Sequence, residues 1–160
     1  MLHDIFHFSF TVSDIEASIA WYRDVLGLEL VHRQRQDNAY TRQLVGMPDA
    51  IMETAQFKIE AMGPRLSTHA IELVQYVHPK GKAHRYALND VGVPHVAFLV
   101  TDIQSMYERL ANAGVRFRTP PIQITAGVNR GGHVCYFHDP DGFLLELLEP
   151  SPERKIRLGL

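Results

Sequence analysis

The sequence predicts an α+β fold in which one module, a strand, a helix and three further strands, occurs twice. Three observations carry this expectation. The segment from His7, H-F-S-F-T-V-S-D-I-E, aligns without a gap with the segment from His95, H-V-A-F-L-V-T-D-I-Q, at a constant offset of 95 − 7 = 88 residues. In each copy a run of β-formers leads into a helix-start signal. Each half then closes on a similar apolar strand, A-I-E-L-V-Q-Y around Glu72 and L-L-E-L-L-E-P around Glu146.

The elements follow in order. Ser13-x-x-Glu16 has the form of a capping box, in which side chain and backbone satisfy each other's orphan donors, and Thr101-x-x-Gln104 repeats it. A helix is expected to start at both places. Ile15, Ile19, Tyr22 and Leu26 form one apolar helical stripe, with Gly27 placed to end the helix in a left-handed conformation; Ile103, Tyr107, Leu110 and Gly114 repeat the pattern. Strands are expected at residues 28–32 and 52–59 of the first half and at 115–118 and 133–137 of the second. The turn Asp139-Pro140-Asp141-Gly142 precedes the last strand.

The His-to-Glu separations are 72 − 7 = 65 and 146 − 95 = 51, so the first half carries 65 − 51 = 14 additional residues. Residues 33–48 are expected to hold most of them, as a polar loop over 33–38 and a short helix over 40–45, and a long loop in a compact domain is more often functional than idle. The organisation predicted is a single domain over 1–160, with a first βαβββ module over 4–78, a linker over 79–92, a second module over 93–150 and a C-terminal tail over 151–160.

A chain of 160 residues with 46% hydrophobic and 21% charged residues is long and apolar enough for a globular core. A formal net charge of −2 with scattered basic residues argues against a nucleic-acid partner. No apolar run approaches the roughly 20 residues of a membrane span, and the start Met1-Leu2-His3-Asp4 lacks the features of a signal peptide, so a cytoplasmic protein without a membrane partner is expected. The lone Cys135 reads as a buried small residue.

A single strand histidine is ordinarily structural, and a carboxylate between apolar neighbours is seldom buried unless paired or coordinating. Here His7 and Glu72 recur as His95 and Glu146 at equivalent places in the two copies. A pseudo-twofold arrangement would gather two imidazoles and two carboxylates, a donor set suited to an octahedral divalent cation with positions left for water or substrate.

The paired H-x-x-x-x-V-x-D starts, the I-E-L and L-E-L strands, W-Y-x-x-V-L-G-L and G-G-x-x-x-x-F-x-D-P-D-G together resemble the vicinal oxygen chelate superfamily over about residues 5–150. That group includes glyoxalase I, epimerases, extradiol dioxygenases and bleomycin-resistance-like proteins. The resemblance implies paired βαβββ modules forming a U-shaped mixed sheet around a central metal site, and a homodimer. Four ligands, His7, Glu72, His95 and Glu146, resemble the lyase and epimerase branch, in which Ni, Co or Zn is favoured over Fe, Mn or Mg. A proton is moved next to a carbonyl of a small chelated substrate, with Glu146 as the base and Glu72 as ligand or second base.

Strand alternation places Thr11, Tyr76 and Leu99 on the face of the metal ligands. Glutathione-dependent members typically carry Arg and Asn where this chain has Thr11 and Tyr76, so a glutathione-independent activity on a smaller substrate is expected. Tyr40, Arg42 and Met47, with Phe57, are candidates to close over it. His32, His69, His78, His84 and His138 have no paired counterpart and read as structural or surface groups. Two other readings remain: an Fe(II) or Mn(II) ring-cleaving dioxygenase using His7, His95 and Glu146, against which Glu72 stands, and a non-catalytic protein that binds an aromatic or antibiotic-like ligand.

Overall fold

The computed structural model describes residues 1, 3–61, 67–84 and 86–160; Leu2 of the N-terminal segment and residue 85 of the expected linker lie outside them. The chain divides into two compact units, Met1–His84 and Arg85–Leu160. The first contains β1 (Phe8–Thr11), α1 (Ile15–Ala20), β2 (Glu29–Gln36), α2 (Ala39–Val45), β3 (Ile51–Lys58) and β4 (Ile71–His78). The second contains β5 (His95–Leu99), α3 (Ile103–Asn112), β6 (Ile122–Gln123), β7 (His133–His138), β8 (Leu144–Glu149) and α4 (Pro152–Leu158).

Each unit holds a four-stranded mixed sheet, ordered β1-β4-β3-β2 in the first and β5-β8-β7-β6 in the second. The first and last strands of each module pair in parallel and the remaining pairs are antiparallel. This is the repeated βαβββ module, in an α+β fold. Among the described residues no helix is long and apolar enough to cross a membrane.

The apolar stripe of the first helix is buried as its spacing predicts: Ile15, Ile19, Tyr22 and Leu26 lie in the core with Phe10, Phe57, Ile71 and Leu73. The Tyr22 and Phe57 rings sit 5.9 Å apart. Each such side chain taken from water contributes about 1.5–3 kcal/mol. The helix continues from α1 as a π-helical turn, Trp21–Val25, and Gly27 beyond it takes φ 88°. In the second unit Ile103 and Leu110 are buried, and Tyr107, Phe117 and Phe137 stack in sequence at 4.6 and 5.3 Å.

Four expectations need correction. The caps are Asp14 and Asp102, one residue beyond the Ser13 and Thr101 hydroxyls; their carboxylates accept from Glu16 and Ala17 N–H in one case and Ser105 N–H in the other. A charged acceptor makes the stronger hydrogen bond to an orphan N–H. Residues 33–36 are the outer half of β2, not a loop. Charge suits this edge strand, where Arg33 pairs with Glu16 and Arg35 with Glu53 at 3.0 Å. Residues 115–118 form only an isolated bridge, Phe117 to Phe137, and the fourth strand of that sheet is β6. The expected tail holds α4, capped by Ser151 and opened by Pro152.

A further repeat ties helix to sheet. Three residues beyond Glu72 on β4, the Gln75 Oε1 accepts from Ile15 N–H at 3.0 Å; three beyond Glu146 on β8, the Glu149 Oε2 accepts from Ile103 N–H at 2.9 Å. Glu149 also pairs with Lys155 of α4, whose ammonium donates to Thr101 O at 2.6 Å. Burial raises the Glu149 pKa, but the hydrogen bonds from Lys155 and Ile103 and the Lys155 charge outweigh it, and the net displacement is downward.

Replacing Glu149 by Ala is therefore expected to cost about 1–2 kcal/mol in urea unfolding at neutral pH, the range of a lost helix cap. Because the folded pKa is depressed, this contribution is complete above the unfolded value and is lost as pH falls through the folded one, so wild type and variant should converge in acid. Cys135 is 1% exposed, and burial, followed by the Glu146 charge, pushes its thiol up to about 11. A thiol reagent at pH 8 should leave the native protein unmodified and react with Cys135 only after denaturation.

Candidate functional site

In the first unit the parallel register sets Ser9 beside Glu72 and Phe10 beside Leu73. Ile71 and Leu73 are buried on the helix side, so alternation turns Glu72, Val74 and Tyr76 to the opposite face. His7 lies just before β1, with its Nε2 3.6 Å from Glu72 Oε2. Glu72 is also held from β3, where its cross-strand neighbour Gln56 donates from Nε2 to Oε1 at 3.0 Å.

The second unit repeats the pairing. Ala97 stands beside Glu146, and His95 Nε2 lies 3.1 Å from Glu146 Oε2. The cross-strand neighbour of Glu146 on β7 is Tyr136, whose ring meets His95 edge-on at 5.6 Å. Burial, then the charge of Glu146 and a hydrogen bond to it, raises the Tyr136 pKa, so the phenol stays protonated as a donor toward the carboxylate. The Glu146 side chain is 9% exposed against 17% for Glu72, which makes it the more enclosed carboxylate. Tyr136, expected only as a sheet residue, thus belongs to the surroundings of Glu146.

His69 was expected to be structural or on the surface. It is buried, and its Nε2 lies 2.9 Å from His7 Nδ1, the rings being 4.9 Å apart. His7, His69 and Glu72 each offer a ligand atom, all within 4.8 Å of one another, so these three residues could hold a metal ion. Burial first, then the proximity of His7, pushes the His69 pKa below its usual range. His69 has no counterpart in the repeat because the place aligned with it, three residues before the second glutamate, is Phe143. A signal was present: a histidine leading into the same strand as Glu72.

Of the expected substrate residues, Thr11 is exposed and Tyr76 half-buried, both on the Glu72 face, and Leu99 is 52% exposed. Tyr40 projects from α2 at 71% exposure, with Met47 also exposed. The Arg42 guanidinium is paired with Asp37. Phe57 must be reassigned: it is fully buried, in register with Ile71 and against Tyr22, on the helix side of the sheet away from Glu72. Strand register decides its face, and the flanking loop does not.

Comparison with known proteins agrees with this architecture. The chain is 30% identical over 145 residues to a 2-epi-5-epi-valiolone epimerase from Actinomyces sp, covering 90% of this chain and 78% of that protein. It is 25% identical to a probable lactoylglutathione lyase from Vibrio cholerae, covering 92% and 91%. A glyoxalase family protein from Bacillus cereus shares the fold with a TM-score of 0.77 at 23% identity, covering 94% and 96%. The profile of the Glyoxalase/Bleomycin resistance protein/Dioxygenase superfamily matches residues 4–147. That span takes in both modules and both His–Glu pairs, and the chain belongs to this superfamily.

Proposed function

We propose that His7, Glu72, His95 and Glu146 are ligands of a divalent cation, and that the protein is a metal-dependent isomerase, epimerase or lyase acting on a small oxygen-bearing substrate without glutathione. The observation that carries this reading is the recurrence of a His Nε2 and a Glu Oε2 drawn together at 3.6 Å in one module and 3.1 Å in the other. Adjacent ligand atoms about 2.1 Å from an octahedral ion lie about 3 Å apart, so both pairs have a fitting span. The nitrogen and hard-oxygen donor set suits Ni, Co or Zn, with Fe, Mn and Mg less favoured.

When bound, the cation would supply Lewis-acid polarisation of a carbonyl oxygen. The protein's own residues then divide the remaining work. Glu146 takes the proton from the carbon next to the carbonyl, because it is the more enclosed carboxylate and substrate beside it reacts away from bulk water. Gln56 holds Glu72 in a fixed orientation, which suits a ligand; Glu72 doubles as the base on the opposite face only by leaving that hydrogen bond. Thr11, Tyr76 and Leu99 are the residues proposed to meet the substrate, and none of them carries a charge that would hold the carboxylates of a tripeptide thiol. Arg42 could contact substrate only by leaving Asp37, and Tyr40 is the freer of the two α2 side chains. The epimerase and lyase names of the relatives are in keeping with a proton-transfer chemistry.

Solvent exchange tests the proposal. Protein loaded in turn with Ni, Co, Zn, Mn and Fe(II) is incubated in D2O with a panel of small hydroxy-ketones and 2-oxo compounds, with and without glutathione, and followed by NMR. Deuterium should enter at the carbon next to the carbonyl, require the cation and ignore glutathione. Glu146→Gln should lower the exchange rate about 10²- to 10⁴-fold with an unchanged fold. Full exchange in that variant would remove Glu146 as the base; oxygen consumption with a catechol under Fe(II) would replace the reading with ring cleavage.

A further inference from the structure

Beyond the His–Glu pair, the first module holds a chain of hydrogen bonds that ends on His7 and has no equivalent at the aligned position of the second. Its donors and acceptors can be assigned one after another. The Ser67 hydroxyl lies 2.6 Å from His69 O, and a carbonyl can only accept, so the hydroxyl proton is committed there. Among the described residues, the remaining neighbours of Ser67 Oγ are His69 N–H at 3.2 Å and His69 Nδ1 at 3.4 Å, and toward both it can only accept. The geometry therefore places a hydrogen on His69 Nδ1, and the tautomer that carries it there leaves Nε2 bare. That bare Nε2 faces His7 Nδ1 at 2.9 Å, so His7 must carry its hydrogen on Nδ1. The His7 Nε2 lone pair is then the one turned toward Glu72.

We propose that His69 is a positioning residue that fixes the tautomer and ring orientation of His7, presenting the His7 Nε2 lone pair to a cation beside Glu72. This rests on the reading of His7 as a ligand. It also separates His69 from the ligand set, although its distances alone would admit it: its Nε2 is spent on His7 and its Nδ1 on Ser67. A ligating imidazole commonly donates its other N–H to a carboxylate, a carbonyl or water. Here the acceptor is a second, buried imidazole, itself oriented by Ser67. The Phe6 ring, edge-on to His7 at 5.4 Å and to His69 at 5.3 Å, confines both.

The test begins on metal-free protein, so that it does not depend on cation binding. Long-range proton–nitrogen NMR correlations at pH 8, above the usual imidazole pKa of about 6.5, report which ring nitrogen carries the hydrogen. In wild type, His7 and His69 should both carry it on Nδ1. His69→Phe removes the acceptor and should leave His7 as a mixture of tautomers; His69→Gln, whose side-chain oxygen can accept, should restore the Nδ1–H form. Ser67→Ala serves where the Phe variant does not fold, and should release both rings from a single tautomer. Cobalt titration should then show affinity reduced about 10- to 100-fold in His69→Phe and recovered in His69→Gln. The visible spectrum of the saturated His69→Gln protein should match wild type.

A wild-type His7 with its hydrogen on Nε2, or a His7 tautomer unmoved by His69→Phe, overturns the proposal. So does a changed cobalt spectrum in saturated His69→Gln, which makes His69 a direct ligand. Expected tautomers in a protein that takes up no cation would uphold the relay and refute the metal reading, so the two fail separately.

Discussion

The parallel pairing of the first and last strand of each module is the constraint from which the rest follows. Two parallel neighbours cannot be joined by a hairpin; a crossover must carry the chain from one end of the sheet back to the other. The helix and the two middle strands are that crossover, and α1 and α3 bury one sheet face in each unit. The other face carries Glu72 in the first unit and Glu146 in the second. The registers Ser9 to Glu72 and Ala97 to Glu146 bring a histidine at or just before the first strand beside a glutamate in the last, although the two are remote in sequence. Gln75 and Glu149, on the same strands as those glutamates, accept from the first N–H of each helix and tie it to the sheet.

Both modules therefore hold a carboxylate in two ways, by a histidine along the parallel neighbour and by a polar side chain across the antiparallel neighbour, and Glu146 is in addition buried. The cross-strand residues differ, Gln56 against Tyr136, and only the first module adds a second imidazole. A duplicated fold has kept its pairing rule while the groups around each carboxylate have diverged. That divergence is what gives two chemically similar glutamates different work in the proposed reaction.

Much of this was legible in the sequence because it rests on periodicity and repetition. The helix stripes, the His–Glu spacing and the module order each leave a direct trace. What could not be read depends on register or on long-range partners. Phe57 moves from substrate lining to core because a one-residue step changes the face of a strand. Ser13 and Asp14 are both competent caps, and the structure chooses Asp14, with Gln75 meeting the next free N–H from sixty residues away. Residues 33–36 look like a polar loop until an edge strand with cross-strand carboxylates accounts for their charge. His69 escaped because the criterion that identified the other histidines, a partner in the second copy, excluded the one built into a single copy.

The central claim is that the two His–Glu pairs are a metal site, and elemental analysis addresses it most directly. Purified protein is compared with a variant carrying both His7→Ala and His95→Ala. The account predicts about one divalent cation per chain in the wild type, as a four-ligand site requires, and its loss in the variant. No cation in the wild type, with none taken up on reconstitution, or a full complement retained by the variant, would contradict it.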